Sequence, residues 1–197
     1  MVWTTPVRLA GRHVTLLPLE HEHHDGLVEA ARDGMLWRLW FTSVPNPDEM
    51  ADDIATRLAW RDQGIMLPFT VTETDTGAIV GMTSFGRIDP IVRRMEIGWT
   101  WYAERVQRTA LNTEAKRLML THAFETLDCV AVELRTHFMN YRSRRAIERL
   151  GAKLDGVLRH NVRTRDGTLR DSCSYSIIAA EWPAVRSHLA WELERPR

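Results

Sequence analysis

Along this chain the apolar positions alternate between a spacing of two and a spacing of three to four, and each change falls at a turn signal. Arg12 to Leu19 (RHVTLLPL) reads as a first strand, and His21 to Arg32 as a first helix stopped near Asp33-Gly34. Asn46-Pro47-Asp48 is turn chemistry opening a second helix, Glu49 to Arg61, which ends near Gly64. Pro68 to Glu73 and Ala78 to Ile88 are strands joined through Asp75-Thr76-Gly77. Arg94 to Tyr102 is the next strand. Thr113 to Leu127 is a central helix on which Ala115, Leu118, Met119 and His122 recur along one face. Val130 to Phe138 is a strand, and Arg142 to Leu150 a helix with Gly151 as its stop. Val157 to Arg165 and Thr168 to Ile178 pair across Asp166-Gly167, and an amphipathic helix, Ala180 to Glu194, closes the chain. Helices before, between and after a mostly antiparallel sheet predict the α+β class in three layers.

Composition narrows the class. With 197 residues and 44% hydrophobic positions the chain can bury a full core, so one domain over 1–197 is expected, with 180–197 as a helical tail. Formal net charge is zero, which argues against nucleic-acid or membrane attraction over the whole surface. Lys116 and Lys153 are the only lysines in a chain whose cations are otherwise arginine. Cys129 and Cys173 lie in apolar strand-like runs, with no disulfide framework and no metal-ligand spacing. His21-Glu22-His23-His24 lacks the i, i+4 histidine pair of a zincin helix and reads as an exposed helix start, so no metal is expected. No basic-then-apolar leader and no apolar run of membrane-spanning length is visible, and a soluble cytoplasmic protein is the simplest expectation.

The candidate chemistry lies between Arg94 and Ala152. Before the central helix, Gln107-Arg108-Thr109-Ala110-Leu111-Asn112 carries a cation and no acid, and the free N–H groups of a helix start are a ready anion site. Upstream is the strand Met95-Glu96-Ile97-Gly98-Trp99-Thr100-Trp101; downstream is the strand-to-helix junction Phe138-Met139-Asn140-Tyr141-Arg142-Ser143. Together these segments resemble the acyl-CoA-binding core of the GNAT acetyltransferases, most closely the RimJ/RimL-like branch. The resemblance implies a GNAT-like α/β/α fold with a central mixed sheet, and a coenzyme A pyrophosphate cradled by residues 107–113, from Gln107 and Arg108 through Thr109, Ala110, Leu111 and Asn112 to Thr113. Ala110 and Asn112 stand where the family has small glycines. Alanine keeps the side chain small, and asparagine tolerates left-handed φ. Asn112 or Thr113 is expected to cap the helix.

The Glu-Ile-Gly strand of the family splays from its neighbour and pairs with the pantetheine arm, which places those contacts at Trp99, Thr100 and Trp101. Glu96 is the candidate general base, since amine acylation requires the acceptor's ammonium to lose a proton. The competing reading is that Glu96 only pairs with a nearby arginine such as Arg94. The family's Asn-x-x-Ser turn maps onto Asn140, to hold the arm, and Ser143, to protonate the departing thiolate, with Tyr141 as understudy. Helix capping explains Asn and Ser equally well. Some RimL-like enzymes carry a catalytic glutamate on the following strand, where this chain has Val162; that leaves His160 as a substitute. Arg149 is the candidate for the 3′-phosphate, and Trp37, Trp40 and Phe41 for the wall of an acceptor pocket. Trp182, Leu189 and Trp191 on the last helix either cover the sheet or form a homodimer contact.

The resemblance therefore implies an N-acetyltransferase moving an acetyl group from acetyl-CoA to a primary amine, a protein N-terminus or a small amine, by direct attack in a ternary complex. A bulkier donor such as succinyl-CoA is an alternative, because the arginines could hold its carboxylate. A non-catalytic acyl-CoA sensor is another. A site for a different nucleotide is disfavoured, since neither a Walker lysine motif nor GxGxxG occurs.

Overall fold

The computed structural model describes residues 3–164 and 167–195, and all the strands found there join one mixed sheet. In chain order the elements are β1 (Leu9–Ala10), β2 (Val14–Pro18), α1 (His24–Arg32), α2 (Met50–Asp62), β3 (Leu67–Glu73), β4 (Ile79–Asp89) and β5 (Arg94–Tyr102). There follow α3 (Ala110–Thr121), β6 (Ala131–His137), α4 (Tyr141–Glu148), β7 (Lys153–Arg163), β8 (Leu169–Ile178) and α5 (Trp182–Glu194). The strand order is β1-β2-β3-β4-β5-β6-β8-β7, antiparallel everywhere except between β5 and β6. A parallel pair needs a crossover, and α3 supplies it.

Alternation along β4 shows the three layers. Thr83 and Phe85 meet Met119 and His122 at the α3 end of the fold, while Ser84 between them bonds Arg57 of α2. Helices α1 and α2 pack on each other and on β4 and β3; α3 packs on α5 and reaches β2. Phe69, Val71, Met82, Phe85 and Tyr175 are fully buried between the layers. Glu114 of α3 ties in the N-terminal strands: its carboxylate accepts the N–H groups of Arg12 (3.0 Å), His13 (2.6 Å) and Val14 (3.0 Å). Gly11 leaves the room, since a Cβ there would stand 2.5 Å from that carboxylate.

Several boundaries differ from expectation. The β1 strand is an unpredicted two-residue piece, and β7 begins at Lys153 rather than Val157. Helix α3 starts at Ala110, not Thr113. Thr109, extended at φ −97° and ψ −176°, caps it by accepting the N–H of Leu111, so neither Asn112 nor Thr113 is the cap. After α3 the helix widens into a π turn, His122–Thr126. The expected turn at Asp166-Gly167 lies partly outside the described residues. On α5, Trp182 stacks on Phe124 and Leu189 is fully buried, whereas Trp191 is exposed beneath the Arg195 guanidinium.

Candidate active site

The parallel β5–β6 pairing is short. It runs from Arg94↔Ala131 to Glu96↔Glu133 and stops, although β5 continues to Tyr102 and β6 to His137. Beyond Glu96 the two strands diverge, and their backbone groups no longer satisfy each other. A bulge sharpens the divergence: Trp99 and Thr100 of β5 stand against Thr83 alone on β4, with Trp99 at φ +50°. The Trp99 ring lies over Gly86, where a Cβ would stand 2.3 Å from it. The fork opens into a cavity of about 870 Å³. Glu96, Trp99, Thr100 and Trp101 line it on one side, Asn140 and Ser143 on another, and Gln107, Arg108 and Asn112 at the helix start.

Glu96 sits at the vertex. It is 6% exposed, and its Oε2 lies 2.9 Å from Arg87 Nε and 3.7 Å from Arg135 Nε, with neither N–H aligned on it as a hydrogen bond. Arg94, the partner considered from sequence, instead approaches Glu133 at 3.7 Å. Burial raises the Glu96 pKa above the usual carboxylate range; Arg87 and Arg135 oppose the rise and Glu133 adds to it. For the facing Glu133 burial also pushes up, but the Ser174 hydroxyl (2.8 Å), Arg135 (2.9 Å) and Arg94 hold the pKa low. Two neighbouring carboxylates are thus driven apart, one fixed as an anion and one poised to exchange a proton. Gly98 is required here, because a Cβ would stand 2.7 Å from Glu96 Oε1.

The second face is α4 and the loop before α3. Asn140 caps α4 by accepting the N–H of Ser143 at 3.1 Å, so the capping role is present alongside exposure to the cavity. Ser143 lines the cavity, whereas Tyr141 lies under Arg144 and does not. Gln107 donates to the Tyr102 carbonyl (2.9 Å) and accepts from Arg142 (3.0 Å), clasping the loop to α4. The left-handed residue of the loop is Arg108 (φ +63°), not Asn112. Thr109, Ala110 and Leu111 border a separate small recess beside Arg105, and Thr113 is buried beneath Arg149 Nη2, which donates to its hydroxyl at 3.0 Å. Arg149 also reaches Glu192 at 3.5 Å and stands outside the cavity.

On the remaining wall the segment after α1 contributes Phe41, while Trp37 packs against the core and Trp40 sits edge-on to His137 (5.0 Å) and Phe41 (5.6 Å). His137 lines the cavity. His160 does not: its N–H donates to Asp171 from a left-handed turn of β7, and Asn161 and Val162 line the cavity instead. Among the described residues no cluster of His, Cys, Asp or Glu could hold a metal ion, and no helix is long and apolar enough to cross a membrane.

Sequence reasoning passed over four side chains. Arg87, Arg135 and Arg170 converge on Glu96, and Lys116 of α3 is buried in the cavity wall. Its ammonium donates to Thr100 Oγ1 (2.9 Å) and Thr83 Oγ1 (3.2 Å), with no carboxylate beside it, and burial lowers its pKa to about 7. Its one sequence signal was rarity, a lone helix lysine in an arginine-rich chain.

A forked parallel strand pair facing a capped helix junction and a cationic helix start defines a cleft for an extended, anionic, strand-like ligand. Residues 13–153 match the acetyltransferase (GNAT) domain. The chain belongs to the GNAT acetyltransferase family. It is 32% identical over 106 residues, 54% of this chain and 57% of the relative, to YdaF of Bacillus subtilis (strain 168), a provisionally named ribosomal N-acetyltransferase. An acetyltransferase structure from T. thermophilus superposes with a TM-score of 0.84 at 32% identity, covering 97% of this chain and 99% of that one. Mycobacterium smegmatis RimJ, solved in complex with CoA-disulfide, shares the fold with a TM-score of 0.79 at 20% identity, over 96% and 95% of the two chains.

Proposed function

We propose that this protein is an N-acetyltransferase that carries the acetyl group of acetyl-CoA to a primary amine, a protein N-terminus being the favoured acceptor. The observation that carries the reading is Glu96, a buried carboxylate with a raised pKa at the vertex of the β5–β6 fork. The fork supplies unpaired β5 backbone for a pantetheine arm, and Arg108, Arg142 and Arg145 border the same cavity where phosphates would lie. In this reading Glu96, directly or through water, takes a proton from the acceptor ammonium. The free amine attacks the thioester carbon, an N–H of the splayed strand polarises its oxygen, the C–S bond breaks, and Ser143 protonates the thiolate. The ribosomal designation of YdaF supports the choice of a protein N-terminus.

The test is thiol release from acetyl-CoA with a panel of short peptides. Glu96→Gln should lower turnover by roughly 100-fold or more, in the range of a lost general base, while the acetyl-CoA dissociation constant moves by less than about threefold. Wild-type turnover should fall as pH drops through the raised Glu96 pKa, because the base must be ionised. An unchanged rate in Glu96→Gln would remove Glu96 as base. Acetyl-CoA binding without thiol release across the panel would favour an acyl-CoA sensor.

A further inference from the structure

The cavity holds more positive charge than its own acids neutralise. Arg87 and Arg135 lie 2.9 and 3.7 Å from the same oxygen of Glu96, and Arg170 of β8 couples to that carboxylate from the far side of the fork. Glu133 is already held by Arg135, Arg94 and Ser174. Arg57, also on the wall, is matched by Asp53 at 2.6 Å. Arg170 has no carboxylate within ion-pair distance among the described residues, and its one hydrogen bond is a long one, 3.4 Å from Nε to Ser172 Oγ. The next residue, Asp171, is engaged by Arg159 at 2.7 Å and by the His160 N–H. Around the vertex, then, Arg87, Arg94, Arg135 and Arg170 face two carboxylates, one of which must give up its charge whenever it accepts a proton. A half-buried guanidinium without an anion is an incomplete site: its planar fork is built for a carboxylate, and partial burial strengthens the pairing.

Resting on the N-acetyltransferase reading, we propose that one of the two substrates brings a carboxylate to Arg170, flanked by Arg87 and Arg135, close to the reacting amine or acyl carbon. The favoured source is the acceptor, an amine with an acidic group within a residue or two, such as a peptide with Asp or Glu near its N-terminus. The other source of the same chemistry is the acyl chain of a dicarboxylic donor such as succinyl-CoA. Polyamines and aminoglycosides are disfavoured, since their additional cations would enter a field that is already positive. That field also assists the reaction, because nearby guanidiniums favour the neutral form of the acceptor amine.

The test uses the full chain and thiol release under three conditions. With acetyl-CoA, peptides bearing Asp or Glu in the first three positions are compared with their Asn or Gln isosteres and with spermidine. With succinyl-CoA, the neutral peptides are measured again. A carboxylate in the acceptor predicts kcat/KM about 10- to 100-fold higher for the acidic peptides, the size of a charge-assisted contact left unmade. A carboxylate in the acyl chain predicts the same preference for succinyl-CoA over acetyl-CoA with a neutral acceptor. In either case Arg170→Gln should abolish the discrimination and Arg170→Lys should retain part of it. Equal rates for acids and isosteres with both donors, or preferred use of spermidine, overturn the inference while leaving the acetyltransferase reading intact. No thiol release under any condition, with acetyl-CoA still bound, overturns both.

Discussion

Replacing Lys116 with methionine should make the protein more stable, and by an amount that depends on pH. Lys116 is 5% exposed, has only the hydroxyls of Thr83 and Thr100 as partners, and titrates near 7 instead of 10.5 because burial penalises its charge. At about 1.4 kcal/mol per tenfold change in proton affinity, that difference puts the penalty for the charged form at about 5 kcal/mol. Methionine fills a similar volume without the charge, and Thr83 and Thr100 keep their mutual 2.7 Å bond. The two lost ammonium hydrogen bonds cost about 1 kcal/mol each, leaving a net gain of about 3 kcal/mol at pH 6. For a domain of this size that is roughly 6 to 12 °C in Tm. Between pH 7 and 10.5 the unfolded chain retains a proton that the folded chain has shed, so wild-type stability from this group rises with pH. The gap to Lys116→Met should therefore narrow above pH 7 and approach zero near pH 9.5. Urea denaturation of both proteins at pH 6, 7.5 and 9.5 reads the gap directly, because every other titrating group is common to the pair. A constant gap, or a variant less stable than wild type at pH 6, would refute the argument that Lys116 is buried without an anion.

Three further substitutions probe the elements that shape the cleft. Glu114→Ala strips three amides of Arg12, His13 and Val14 of their acceptor and should destabilise by about 3 kcal/mol or more, seen in urea denaturation and as faster hydrogen exchange at those amides; protection unchanged at Val14 would show that the strand does not depend on Glu114. Gly86→Ala must displace the Trp99 ring, at a cost of about 1–3 kcal/mol, and should raise the acetyl-CoA dissociation constant severalfold with a change in tryptophan emission; unaltered donor affinity would place the coenzyme arm away from Trp99. Asn140→Ala removes the α4 cap and should cost about 1 kcal/mol in stability. It should also weaken donor binding beyond what Asn140→Ser does, and equal donor affinity in the two variants would reduce Asn140 to a cap.

What was legible in the sequence was burial, and what was hidden was the balance of charge across strands. Apolar periodicity identified the strands from Arg12 to Ile178 and the five main helices, because each element advertises its buried face locally. Glu96 stood out because a lone acid interrupts an apolar strand, and Asn140 because it opens a helix. Local chemistry was ambiguous where two cap-forming residues compete: Thr109 and Asn112 are equally good candidates on paper, and only the extended backbone at Thr109 decides the helix start. The positive φ of Arg108 and Trp99 carries no signal in residue type, since the loop and the bulge impose it. The convergence of Arg87, Arg135 and Arg170 depends on the order β4-β5-β6-β8, which places residues 83 positions apart in sequence around one carboxylate. Lys116 obeys the helical period as any buried residue would, and only the absence of an acid across the layer makes it unusual. The donor half of the cleft is thus written in short contiguous motifs, while the half that selects its other substrate is written in the topology. Substrate choice in this chain is accordingly to be sought in the arginines brought together by the sheet rather than in any motif along it.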